Sequence, residues 1–125
     1  MALLAAITFA FSVHAQKKAE WKEMNEFHGI MSTTFHPAEE GDLEPIKTRS
    51  QEMIDKAIAW QKSTAPEGYD KKAAEETLKK LVAESKNLHK MVKEGSPDKE
   101  LVAKLTTLHD IFHEIMEKCT GEEHH

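Results

Sequence analysis

The sequence of 125 residues contains one cysteine, Cys119, which excludes a disulfide framework within the chain. Glycine and proline are scarce, at five and four residues. No alternating apolar and polar pattern, internal repeat or low-complexity tract is present, so strand-rich and repetitive folds have no support. Positive charge is not in excess: 17 Lys+Arg stand against 22 Asp+Glu, a net charge of -5. Nothing in that balance calls for a nucleic acid or an anionic membrane as partner, because both require a basic face. With 39% hydrophobic and 31% charged residues, the chain can still bury one modest core as a single domain. Histidine is what it has in quantity, at eight residues.

Long apolar runs are missing except at the start. Residues 1–15 contain no Asp, Glu, Lys or Arg, and Lys17 and Lys18 then open a charged sequence. This pattern reads as a secretory signal peptide cleaved after Ala15, its apolar stretch being too short to span a bilayer. It lacks the basic stretch that usually opens such a segment, as it would if its start were truncated. The expected location is periplasmic or secreted, with no stable membrane insertion after cleavage. His14 is lost with the leader.

Helical periodicity dominates residues 16–120. Trp21, Met24, Phe27, Met31 and Phe35 recur at three and four residues, which places them on one stripe of a first helix over residues 19–35. His36 and Pro37 are expected to end it. Asp42 is placed to cap a second helix, with Pro45 in its first turn and Ile46, Met53, Ala57 and Trp60 on its apolar face. A third starts near Asp70 and buries Ala74, Leu78, Leu81, Ser85, Leu88 and Val92. Gly95 stops it, and Ser96 and Pro97 open the last, which carries Leu101, Leu105, Leu108, Phe112, Ile115, Met116 and Cys119. Gly121 follows as a stop, leaving residues 121–125 as a flexible tail with His124 and His125. The expected fold is all-α, an antiparallel up-down-up-down four-helix bundle.

Five histidines fall within the bundle. His28 sits about 40° from Met24 around the first helix, which predicts that it points inward. His109 and His113 share a face of the fourth helix, and the i,i+4 spacing brings two imidazoles to a common point, the geometry of helical metal chelation. Antiparallel packing sets His28 level with His113 and His36 toward His109. The resulting candidate site is His28, His36, His109 and His113 between the first and last helices, suited to Zn²⁺ or Cu²⁺. His89, on an edge stripe of the third helix, and Cys119 are additional candidates, with Asp110 and Glu114 near the pair. Each histidine alone also fits a ring satisfied by one hydrogen-bond partner. Cys119, on the core stripe, reads first as a small buried hydrophobe.

Met24 early in the first helix and Phe112-His113 late in the last give the chain a resemblance to the soluble periplasmic four-helix cytochromes, the b-type and c-prime superfamily. The resemblance implies haem b held non-covalently by Met24 and His113, and an electron-carrier role. The covalent haem motif of the c-prime relatives is absent, since Cys119 is followed by Thr120, Gly121 and Glu122.

No nucleophilic triad is suggested locally. A di-iron centre needs two Glu-x-x-His motifs, and only Asp110-x-x-His113 has that spacing. The expectation is therefore a non-enzymatic, His-rich metal-binding bundle, with a haem carrier as alternative. The sequence leaves open whether two chains share a site as a homodimer.

Overall fold

Each apolar stripe folds into one long helix, and the four helices are α1 (Lys22–Glu39), α2 (Glu44–Lys62), α3 (Lys71–Lys93) and α4 (Asp98–Lys118). The computed structural model describes residues 20–119. The expected leader, residues 1–15, and the tail, residues 121–125, lie outside the described residues. Among those described, no helix is long and apolar enough to cross a membrane.

Consecutive helices pack side by side and α4 closes against α1, giving the expected antiparallel bundle. Several contacts fix the direction of the chain. Trp21 Nε1, at the start of α1, donates to Ser63 Oγ just after α2 at 2.8 Å. Cys119 Sγ, beyond the end of α4, lies 3.6 Å from Thr77 Oγ1 in the second turn of α3. The Asp70 amide also donates to the Cys119 carbonyl at 2.8 Å, tying the α2–α3 connection to the end of α4. The α1–α4 seam is the most sparsely packed of the four.

The core is a column of aliphatic side chains with an aromatic layer at one level. Phe27, Trp60 and Phe112 have ring centres 5.6 to 6.3 Å apart, and Trp21 meets Trp60 edge-on at 5.7 Å. Burying each such side chain contributes about 1.5–3 kcal/mol, so this layer is a principal source of stability. Ile46, Met53, Leu81, Leu88, Leu105, Leu108 and Ile115 extend it in both directions, each fully buried.

Local signals explain most helix ends, with four departures from the sequence expectation. Helix α1 does not stop at His36 and Pro37 but runs to Glu39, with Pro37 inside its last turn. A proline there forfeits one amide donor near an end where the ladder is about to finish, and the burial of Ala38 holds the turn in place. Its predicted beginning at residue 19 gives way to Lys22, with Trp21 at the cap position. Helix α2 is entered from Leu43 rather than Asp42. Asp42 Oδ1 still accepts from the Glu44 amide at 3.1 Å, so its carboxylate serves the helix start from one residue further out. Pro97, not Ser96, sits at the cap position of α4. Asp70 caps α3 as expected, accepting from the Ala73 amide. After α3 the chain turns through Gly95 at φ 73°, where a side chain would strain the backbone.

Candidate metal centre

The α1–α4 seam carries four of the histidines, and aromatic rings determine how they sit. In α4, His109 and His113 lie one turn apart with ring centres 4.5 Å from each other and planes inclined by 70°. With metal–nitrogen bonds of 2.0–2.1 Å, two imidazoles on one tetrahedral ion have ring centres about 5 Å apart. The pair is therefore close to a chelating arrangement without backbone movement. The His109 ring lies against Phe35 of α1 at 4.8 Å, which fixes its position from across the seam. Both histidines are half-buried, leaving one side of the pair open to solvent.

Electrostatics favour the neutral, ligand form of His109. Burial, followed by the neighbouring His113, lowers the pKa of His109, with Asp110 and Glu39 opposing and His36 adding to the effect. A lowered pKa keeps this imidazole neutral and free of proton competition near pH 7. His113 Nδ1 lies 3.1 Å from Glu117 Oε2. A carboxylate can only accept, so Nδ1 carries the proton and Nε2 presents its lone pair outward. A carboxylate holding one imidazole nitrogen while the other binds a cation is the usual support of a metal-ligating histidine.

The remaining candidates divide. His36 is exposed, with Nδ1 3.4 Å from Glu39 Oε1, and its ring lies 6.2 Å from that of Phe35, which meets His109 at 4.8 Å. His28 does not point inward as predicted. It is exposed, and its ring lies flat on Phe112 at 5.1 Å and 15°. The α1 stripe is centred on Phe27, Ile30, Met31, Thr34, Phe35 and Ala38, all buried, and His28 stands about 90° from that centre. Met24, from which its direction was inferred, is itself only half-buried at the margin.

His89 belongs elsewhere. Its Nδ1 is 2.7 Å from Ser50 Oγ, across the α2–α3 seam. Ser50 is 2% exposed, so the contact ties two helices together and the hydroxyl is out of reach of a substrate. Cys119 is buried beside Thr77, away from the histidines. Glu114 turns to Lys80 of α3 at 3.6 Å, and Asp110 is exposed next to the pair. Among the described residues, no group of three or more His, Cys, Asp or Glu side chains is placed to hold an ion. The structure thus brings together His109 and His113, sets His36 nearby, and separates His28, His89 and Cys119 from them.

Haem does not fit this packing. Met24 Sδ accepts a hydrogen bond from the Tyr69 hydroxyl at 3.8 Å. Phe27, Phe112 and Trp60 make ring contacts of 5.6 to 6.3 Å beside Met24 and His113, and a macrocycle between those two residues would have to displace them. A cavity of about 210 Å³ lies at the Trp21 end of the bundle, between Ser63, Lys71, Glu75 and Leu78. It includes neither Met24 nor any histidine.

Helical periodicity alone marks neither Phe35 and Phe112 as platforms for imidazoles nor Glu117 as the partner of His113. For Glu117 a signal was present in its i,i+4 spacing from His113. In comparisons with family models, curated proteins and solved structures, the chain shows no significant match.

Proposed function

We propose that the protein binds a divalent transition metal through His109 and His113, acting outside the cytoplasm as a carrier or buffer of the ion. The observation that supports this most is the 4.5 Å separation of the two rings on the open side of the α1–α4 seam. The Glu117 contact orients one imidazole, and the Phe35 contact positions the other. Neutral imidazole nitrogens suit Zn²⁺ and Cu²⁺ better than the hard cations Mg²⁺ or Ca²⁺, which prefer oxygen. Two ligands from one chain leave coordination positions for groups from outside it.

Calorimetric titration of the metal-free full chain with Zn²⁺ tests this reading. A background in which His124 and His125 are replaced by alanine removes the tail. Saturable binding should persist in that background and be lost on adding His109→Ala and His113→Ala. Unchanged binding in the quadruple variant, or none in the tail variant, contradicts it.

A further inference from the structure

The pair at His109 and His113 is half of a tetrahedral site. Zinc held by proteins takes four ligands, and this chain offers two at the seam, with no third side chain already converging on them among the described residues. We infer that the ion recruits a second copy of this chain, whose own His109 and His113 complete a four-nitrogen site on a two-fold axis. The inference rests on the metal reading above and adds the partner and the assembly.

The surface around the pair is suited to such an approach. Val102 and Thr106 precede His109 on the same shoulder of α4, half-buried and exposed, and their short side chains leave room for a neighbouring helix. A symmetric contact needs one self-complementary patch, and two helices crossing at this point present identical imidazole pairs to one ion.

Charge makes the association depend on metal. Asp110, Glu117 and Glu39 surround the pair and are all exposed. Two copies meeting here bring like charges together, which keeps the metal-free protein apart. A divalent cation at the centre offsets that repulsion and supplies the four bonds that hold the copies.

The test is sedimentation of the metal-free full chain, with and without Zn²⁺, combined with metal analysis of each species. The expected result is a doubling of mass on adding zinc, about one ion per two chains, and reversal by EDTA. The dimer should persist when His124 and His125 are replaced by alanine and disappear in His109→Ala/His113→Ala. Zinc absorption spectroscopy of the full chain gives a second readout, independent of how the variants fold, and should show four imidazole nitrogens at about 2.0 Å. A monomer with one zinc per chain, or a shell of two imidazoles and water oxygens, overturns the shared site while leaving metal binding intact. A dimer that needs the tail or survives the double variant also overturns it. Absence of any saturable zinc overturns the inference together with the reading it rests on.

Discussion

His113 donates its Nδ1 proton to Glu117 Oε2 across 3.1 Å, one turn along the same helix. The contact fixes the tautomer and aims Nε2 away from the carboxylate. Removing the acceptor frees the ring to rotate and to exchange tautomers. Glu117→Ala should therefore weaken Zn²⁺ binding about tenfold, the lower end of what such supporting groups contribute, because the carboxylate is exposed. The melting temperature should hardly change. Calorimetry of the variant beside the parent chain checks both.

Acid should destabilise the metal-free fold through His109. Its pKa in the folded chain lies below the ordinary value of 6.5 because of burial and the nearby His113. As pH falls through the ordinary value, the unfolded chain takes up this proton while the folded chain does not, so stability decreases until the folded pKa is reached. Above pH 7 the ring is neutral in both states and contributes no pH dependence. Thermal melts between pH 7.5 and pH 5 should show a smaller decline for His109→Phe, whose ring can still pack on Phe35. An equal decline in both proteins would contradict the assignment.

Two changes on α3 should have opposite signs. Ser85 Oγ is buried with no hydrogen-bond partner, so Ser85→Ala removes a polar group whose burial costs about 1–3 kcal/mol uncompensated and should raise stability within that range. His89→Ala instead leaves Ser50 Oγ without the 2.7 Å contact it makes across the seam, and should lower stability by about 1–3 kcal/mol. Neither should alter zinc affinity. Urea denaturation of the two variants gives both signs.

Cys119 should be chemically silent in the native state. It is buried, and that burial raises its pKa, with the Thr77 hydrogen bond acting the other way. The thiolate is the reactive form, so both access and ionisation oppose alkylation. Iodoacetamide at pH 7.5 should modify the denatured chain within minutes and leave the native chain largely untouched. Rapid labelling of native protein would place Cys119 at the surface.

The bundle was legible in the sequence because each helix buries a single stripe. Leu78, Leu81 and Leu88, or Leu101, Leu105 and Leu108, repeat at three, four or seven residues and all are buried. The His109–His113 pair was legible for the same reason, since one helix alone sets the spacing. What failed depends on relations between helices. His89 lies on an edge stripe in either account, but only the rotation of α3 against α2 decides that it meets Ser50 rather than the other histidines. The angle to Met24 places His28 inward, yet the side chains that α4 presents set the true centre of α1, and Phe112 receives the imidazole on its outer face. Local rules make Pro37 a stop, whereas the packing of Ala38 sustains the last turn.

The most direct test of the account follows the imidazole nitrogens themselves during metal uptake. Full-length ¹⁵N-labelled protein, with each histidine assigned, is titrated with Zn²⁺ and its ring nitrogens are recorded by long-range ¹H–¹⁵N correlation. The account predicts that Nε2 of His113 and one ring nitrogen of His109 move together to metal-bound shifts and saturate at the same point, while His89 remains unchanged. Free-imidazole shifts at His109 and His113, with zinc instead collected by His124 and His125, would contradict it.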